Sequence, residues 1–328
     1  MNKIILNDNK SGLLRRHPNN PIITINNLPH SYNAIFNPGA IRLHDGTTLL
    51  LCRVEDRRGI SCLWAARSKN GIDNWTFDAE PTFMPDPTNH PDELWGVEDP
   101  RIVWLNELSK YAITYTAFSL AGPAVALALT KDFIQFEKLG VMQAPENKDA
   151  SLLPYRFNNK WLMIHRPQTG LGGSIWLAES PDLNHWGKNR LVLTPRRGAW
   201  WDSSRIGLAS PLILTKHGWL MLYHANKQTG AGCLYRIGVA LLDLEHPDHC
   251  IMRGNEWILG PHENYERSGD VGDVIFICGH TIGDDEDEIN VYYGAADTCI
   301  GLAQGRVSEI LDWLETHGSS IGESQAIT

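Results

Sequence analysis

Ala66-Arg67-Ser68 leads through Asn70 to Trp75, Ala128-Leu129-Thr130 leads through Asp132 to Phe136, and Ala178-Glu179-Ser180 leads through Asp182 to Trp186. One phrase therefore occurs three times: a small residue, then a hydroxyl, then an acid or amide, then an aromatic. Weaker echoes follow at Gly238-Val239-Ala240 with Asp243 and at Gly301-Leu302-Ala303. A spacing of roughly 50 to 63 residues is close to the period of propeller blades, and five such units fill the 328 residues. Within the units, short apolar runs alternate with turn signals, and long amphipathic helical periods are nearly absent. Ala40 to Leu43, then His44-Asp45-Gly46, then Thr47 to Cys52 reads as a hairpin with an Asp-Gly turn. Asn158-Asn159-Lys160 before Trp161-Leu162-Met163-Ile164 repeats the idea, as does Lys216-His217-Gly218 before Trp219 to Tyr223.

These patterns predict an all-β chain: one five-bladed β-propeller over residues 1–328 with a short C-terminal helix. The N-terminal segment of about 1–30 and the helix of about 308–317 are expected as appendages. Ser308 is the expected N-cap, Ile310, Leu311 and Leu314 share a face, and Gly318 stops the helix. The run Asp284-Asp285-Glu286-Asp287-Glu288 reads as a solvated hairpin loop, since the glycine and terminal glutamate spacing of a calcium loop is missing.

Composition narrows the function. A formal charge of -9 argues against a nucleic-acid partner, because phosphate backbones are met by basic patches. Any bound anion must be held by a local group of basic residues. The twelve tryptophans suit a sugar- or ring-binding cleft as well as a core. Cys52, Cys62, Cys233, Cys250, Cys278 and Cys299 show no metal-ligand spacing and read as free thiols. The polar N-terminus carries no long apolar stretch, and no run approaches a membrane span. A soluble, cytoplasmic protein is expected, without metal or membrane contact.

Gly96-Val97-Glu98-Asp99-Pro100-Arg101-Ile102 concentrates the chemistry. Alternation on a strand puts Glu98 and Asp99 on opposite faces, so one acid is expected to face a pocket and the other to hold the frame. Pro100 cannot donate to a ladder and biases Asp99 toward extended geometry. A structural Asp-Pro turn with Arg101 as an ion-pair partner is the other reading of these residues. In a propeller, loops and inner strands of successive blades converge on one axial cavity. The groups expected to meet there are Asn37-Pro38-Gly39-Ala40 with Arg53 to Gly59, Trp95 to Arg101, Lys148-Asp149-Ala150 with His165-Arg166-Pro167, Trp201 to Gly207 with Tyr223-His224, and Tyr265-Glu266 with Tyr292 to Asp297.

The set Gly96-Val97-Glu98-Asp99-Pro100-Arg101, Lys148-Asp149-Ala150, His165-Arg166-Pro167, Trp201-Asp202 with Arg205-Ile206-Gly207, and Tyr292-Tyr293-Gly294-Ala295-Ala296-Asp297 resembles glycoside hydrolase family 130, the β-mannoside phosphorylases. The likeness runs in order from about Asn20 to Gln304. It implies phosphorolysis of a β-linked mannoside with inversion to α-D-mannose 1-phosphate, inorganic phosphate being a co-substrate and no cofactor being needed. Asp99 takes the place of the family's acid, whose proton reaches the leaving oxygen through the mannose 3-hydroxyl. Lys148, Arg166, Arg205 and His224 would form the phosphate groove, because guanidinium forks match phosphate and histidine can donate beside them. Individual salt bridges to Asp149, Asp202 or Glu266 are the alternative for these four. Relatives often carry lysine where Arg205 stands. Asn37, Arg53 and Asp297, with Arg58 as a neighbour, are the implied partners of sugar hydroxyls. Tyr223 and Tyr292 are candidate substrate contacts, and core packing is the other reading for both. An inverting hydrolase would instead need Glu98, Asp202 or Glu266 as base, and a non-catalytic sugar-binding propeller would use the aromatics alone. The partners implied are small mannosides and phosphate. If the chain is a homo-oligomer, its N-terminal segment and C-terminal helix are the candidate contacts.

Overall fold

In the run Thr48–Glu55, Leu49 and Leu51 pack into one core with Leu63, Ile102 and Ile113, while Leu50 and Cys52 pack into another with Tyr292 and Ile300. Alternate residues of one strand thus serve two different cores, as a sheet buried on both faces demands. The same arrangement recurs around a ring of five sheets in the computed structural model, which describes residues 12–169, 172–230 and 232–320.

The N-terminal strand β1 is Arg15–Arg16. Blade 1 is built from β2 (Ala34–Arg42), β3 (Thr48–Glu55), β4 (Ser61–Ser68) and β5 (Thr76–Phe77). Blade 2 comprises β6 (Val97–Leu105), β7 (Lys110–Ser119), β8 (Gly122–Thr130) and β9 (Phe136–Gln143). Blade 3 comprises β10 (Asn147–Leu152), β11 (Trp161–Thr169), the short β12 (Gly172–Gly173), β13 (Ile175–Ser180) and β14 (Gly187–Leu193). Blade 4 has β15 (Arg205–Leu208), β16 (Ile213–Thr215), β17 (Gly218–Thr229), β18 (Gly232–Leu242) and β19 (Cys250–Gly254). Blade 5 has β20 (Ile275–Ile282), β21 (Glu288–Ala295) and β22 (Cys299–Arg306). Every ladder between these strands is antiparallel. Each of the five hydrophobic clusters lies between two neighbouring blades, and the ring closes where β20 meets β2.

The repeated phrase is a turn. Leu183 N donates to Ser180 Oγ, while Asn184 N and His185 N donate to Asp182 Oδ1. Thr130 with Asp132 and Ser68 with Asn70 repeat this pattern, and Asp243 accepts from Glu245 N and His246 N. Asx and hydroxyl turns of this kind end the third strand and reverse the chain into the outermost one.

Arg15–Arg16 and Gly318–Ser320 both join the blades, which the sequence does not predict. Arg15–Arg16 is the outermost strand of blade 5, paired with Gln304 and Ala303 of β22, so this part of the segment expected as an appendage belongs to the ring, while its residues 1–11 lie outside the described residues. Its side chain anchors this closure: Arg16 donates to both oxygens of the fully buried Glu266 and to Gly260 O. Asn264–Arg267 forms α1, a single turn that carries Glu266. The C-terminal helix α2 spans Val307–His317 and buries Val307, Ile310 and Leu314, with Leu311 half-buried. Its N-cap is Arg306, not Ser308, because Asp287 reaches in from the β20–β21 loop and accepts from Ser308 N and Oγ. Gly318 ends the helix as expected, and Gly318–Ser320 then forms β23 against β19 of blade 4.

Candidate active site

The innermost strands of blades 1, 2 and 3 carry the same irregularity. The ladder slips between Phe36 and Gly39, between Glu98 and Arg101, and between Lys148 and Ser151. At each slip one side chain sits on left-handed backbone: Asn37 at φ 44°, Asp99 at φ 50° and Asp149 at φ 55°. These are β-bulges, which re-aim a side chain out of the alternating pattern. Asn and Asp tolerate that conformation better than other non-glycine residues. A proline follows Asn37 and Asp99, so the next residue there has no N–H to be paired where the ladder opens.

The re-aimed side chains line an axial cavity of about 220 Å³ to which every blade contributes. Blade 1 supplies Asn37 and Arg53, blade 2 Asp99, blade 3 Lys148, Asp149, Arg166 and Gln168, and blade 4 Arg205, His224 and Tyr235. Phe276 and Asp297 come from blade 5. On one side, Asp99 Oδ1 accepts from Asn37 Nδ2 at 2.9 Å and from Arg53 Nη1 at 3.2 Å. Burial works against the Asp99 carboxylate, but Arg53 and Lys148 outweigh it and hold its pKa below the usual carboxylate value. Asp297 is less well protected, having no ion-pair partner among the described residues. Burial, reinforced by Asp99, Glu55 and Glu98 and opposed by Arg53, lifts it to about 7, so it is largely protonated where Asp99 is ionised.

On the other side, Asp149 gathers cations. Its carboxylate accepts from Arg166 Nε at 2.6 Å and Arg101 Nη2 at 3.4 Å, and meets His224 Nε2 at 3.1 Å. Burial alone would raise its pKa, yet Arg166, His224 and Arg101 drive it well below the ordinary value. A single amide oxygen, Gln168 Oε1, accepts from Arg166 Nη1 at 2.9 Å and from Arg205 Nη1 at 3.3 Å. Arg205 Nη2 donates to Tyr235 OH at 2.9 Å. Arg205 therefore has only neutral partners among the described residues, and its charge stays available to the cavity. Gly207 and Gly173 permit this packing: a Cβ at Gly207 would lie 2.3 Å from Asp149 Oδ2, and one at Gly173 would lie 2.8 Å from Arg166 Cδ.

His224 differs from its expected role as donor. Burial lowers its pKa despite Asp149, which leaves the ring neutral at physiological pH. With Nε2–H directed at Asp149, the remaining Nδ1 is a buried acceptor, and it has no partner among the described residues.

Glu98 also departs from expectation. Alternation predicts that it faces away from Asp99, but the bulge turns both acids onto one guanidinium: Glu98 Oε1 accepts from Arg53 Nη2 at 3.1 Å, and Oε2 accepts from Lys148 Nζ at 3.0 Å. It braces the two cations that flank Asp99.

Three expected substrate contacts lie elsewhere. Tyr223 precedes His224 on β17 and so points to the other face; it is fully buried, stacks on Trp201, donates to Asp202 and accepts from Arg253 Nε. Tyr292, on the second strand of blade 5, is buried between blades 5 and 1 and donates to Gly71 O at 2.7 Å. Arg58 sits in the β3–β4 turn, three-quarters exposed and bonded to its own turn residue Asp56. Asp202 and Glu266, considered as bases for a hydrolase, are fully buried against arginines outside the cavity. Gln168 and Tyr235 belong to the site but carry no charge and match no motif; the only hint in the sequence is that Gln168 lies two residues beyond Arg166, on the same strand face.

A family model described as beta-1,4-mannooligosaccharide phosphorylase matches residues 13–316. The 1,2-beta-oligomannan phosphorylase of Thermoanaerobacter sp. (strain X514) is 39% identical over 280 residues, covering 82% of this chain and 89% of that protein. The beta-1,4-mannooligosaccharide phosphorylase of Ruminococcus albus is 31% identical over 312 residues, covering 93% of this chain and 91% of that one. Among solved structures, the beta-1,2-mannobiose phosphorylase of Listeria innocua in complex with beta-1,2-mannobiose superposes with a TM-score of 0.83 at 30% identity, over 92% of this chain and 99% of that one.

Proposed function

The chain belongs to glycoside hydrolase family 130, and from that membership and the cavity we propose that it cleaves a β-linked mannoside with inorganic phosphate to α-D-mannose 1-phosphate and a shortened sugar. The observation that carries this reading is the pair of guanidinium groups, Arg166 and Arg205, held side by side on the neutral oxygen of Gln168. Cations drawn into a protein normally face carboxylates; the half-buried Arg205 faces none among the described residues, and a dianion fits between the two. Lys148 extends the positive edge toward Asp99. His224 Nδ1 suits the remaining phosphate hydroxyl, as an acceptor.

The chemistry follows as one displacement. A phosphate oxygen attacks the anomeric carbon as the bond to the leaving oxygen breaks on the opposite face, which inverts the centre. The leaving oxygen takes a proton from Asp99, relayed by the mannose 3-hydroxyl. Both hydrogen bonds to Asp99 fall on Oδ1, so Oδ2 is the oxygen available for that relay. An empty cavity keeps Asp99 ionised, which suits no acid. Phosphate supplies the correction: its charge is set against the same cations, offsets the support from Lys148 and raises the Asp99 pKa when both substrates are present. Phosphate is already a nucleophile, so no base is required, whereas an inverting hydrolase places a second carboxylate roughly 6.5–9.5 Å from the acid around a water. Were water the nucleophile, Glu146 or Asp297, the cavity carboxyls without an ion-pair partner among the described residues, would have to act on it.

The test begins with β-1,2-mannobiose, the linkage of the relative at 39% identity, followed by β-1,4-linked oligomers. Sugar release is expected only with phosphate, and equal release in phosphate-free buffer would sink the proposal. Asp99→Asn should lower kcat by about 10²- to 10⁴-fold while sugar binding changes little.

A further inference from the structure

Strands β17 and β18 form a long ribbon whose two faces serve different cavities. Asn226 pairs with Tyr235 and Ala225 with Arg236, so alternation turns His224 and Tyr235 toward the axial cavity and Lys227 and Arg236 the other way. Behind the ribbon lies a second cavity of about 520 Å³, lined by Trp200, Trp201, Trp257, Arg197, Lys227 and Arg236, with Ala199 at its edge. Among the described residues no carboxylate lines it, in a chain of formal charge -9. Its aromatic walls are fixed in place. Arg196, ion-paired to the buried Asp202, stacks 3.9 Å from the Trp200 ring, and Arg236 stacks 3.8 Å from the Trp257 ring. Trp201 donates Nε1–H to Asn255 O and meets Trp257 edge-on at 6.2 Å. Trp200 and Trp257 nevertheless remain 42% and 36% exposed.

We propose that this cavity is a second ligand site, which binds an organic phosphate: the ring lies against the indoles and the phosphate against Lys227, Arg197 and Arg236. Indole faces accept the C–H face of a sugar or the flat face of a base. Arginine and lysine together favour a phosphate over a neutral hydroxyl cluster. A sugar phosphate and a nucleotide share this chemistry. None of these residues lines the axial cavity, so occupancy does not require turnover and stands apart from the phosphorolysis reading.

The site is tested by calorimetric titration of the full chain in phosphate-free buffer with α-mannose 1-phosphate and, separately, with AMP. An Arg166→Ala background weakens axial binding. At least one of the two probes should still bind, and which one does separates the sugar phosphate from the nucleotide. Adding Lys227→Ala and Arg236→Ala should weaken that binding on the order of tenfold or more, while in an otherwise intact protein this pair should leave kcat within about twofold. Should the triple variant fail to fold, salt provides the second measurement: affinity in the Arg166→Ala protein should fall as ionic strength rises. The proposal is overturned if all binding disappears with Arg166→Ala, if the residual binding ignores both the paired substitution and salt, or if β-1,2-mannobiose binds there as tightly as either phosphate.

Discussion

Asp149 and Asp202 are each fully buried, each grips two arginines and each touches a ring. Asp149 holds Arg166 and Arg101 with His224, and Asp202 holds Arg196 and Arg253 with Tyr223. The difference lies in where the guanidinium groups end. Around Asp202 the other N–H groups reach Gly254 O, Thr194 O, Asn255 Oδ1 and Tyr223 OH, all internal acceptors. Around Asp149, Arg166 Nη1 reaches only a neutral amide and lines a cavity beside Arg205. The same local chemistry therefore locks blade 4 in one place and holds an anion seat open in the other.

Paired substitutions give the sharpest separation and the largest effects. Asp149→Asn leaves the buried Arg166 and Arg101, and Asp202→Asn the buried Arg253 and half-buried Arg196, without their carboxylate, which costs about 3–5 kcal/mol, readable as a lower denaturation midpoint. Only Asp149→Asn should also weaken phosphate use by the molecules that remain folded, since Arg166 and His224 lose their anchor. Equal damage to phosphate use in both variants would break the comparison. The pH dependence has a definite sign. The Asp149 pKa is depressed in the folded chain, so its stabilisation is present above the unfolded carboxylate value of about 3.9 and is lost as pH falls below it. The stability gap between wild type and Asp149→Asn should narrow under acid.

These distinctions were unevenly legible in the sequence. Five blades could be read because each sheet is buried on both faces, which demands apolar runs such as Leu49-Leu50-Leu51-Cys52, and because the Asx turns recur at fixed places. Arg15–Arg16 gave no such signal, as two arginines held by backbone pairing and the ion pair of Arg16 with Glu266 leave no apolar trace. Motif membership brought Asn37, Arg53, Asp99, Lys148, Arg166, Arg205, His224 and Asp297 to one cavity. It failed for Tyr223, which shares a motif with His224 but, as its neighbour on a strand, must face the other way. Alternation in turn misplaced Glu98, because a bulge is set by backbone conformation at Asp99 and not by a hydrophobic pattern. Gln168 and Tyr235 act through neutral hydrogen bonds, which leave no charge pattern to read.

Smaller effects separate the members of the seat. Arg166→Ala should raise KM for phosphate by about 10- to 100-fold, the loss of one or two charged hydrogen bonds, with a much smaller change in KM for the mannoside. An unchanged phosphate KM would remove Arg166 from the seat. Gln168→Ala should act in the same direction but only severalfold, since both guanidinium groups survive and lose only their common brace. If Gln168 merely fills space, Gln168→Leu should restore phosphate affinity; if it positions the arginines, Gln168→Leu should not.

Asp297 extends the comparison to a carboxyl without an arginine of its own. It lines the same cavity as Asp99 and Asp149, yet its pKa is displaced upward to about 7. A neutral Asp297 can donate a hydrogen bond to a sugar hydroxyl, and ionisation removes that donor. Activity resting on the neutral form should decline as pH rises through about 7, whereas Asp297→Asn keeps a donor at every pH. At pH 7 the two proteins should differ by only about twofold, which makes this the smallest effect, and the ratio of their rates should change steadily toward pH 8.5. Phosphate itself titrates in this range, but it does so equally for both proteins, so the ratio isolates Asp297. Stability gives an independent reading. A carboxyl with a raised folded pKa is stabilising when protonated, and that contribution is lost as pH climbs from the unfolded value toward about 7. Above pH 7 Asp297→Asn should therefore match or exceed wild type in denaturation midpoint. A flat rate ratio together with a wild-type stability profile would mean that Asp297 is ionised like its neighbours, and that the Arg53 charge serves four carboxylates instead of the three it is paired with, Glu55, Glu98 and Asp99.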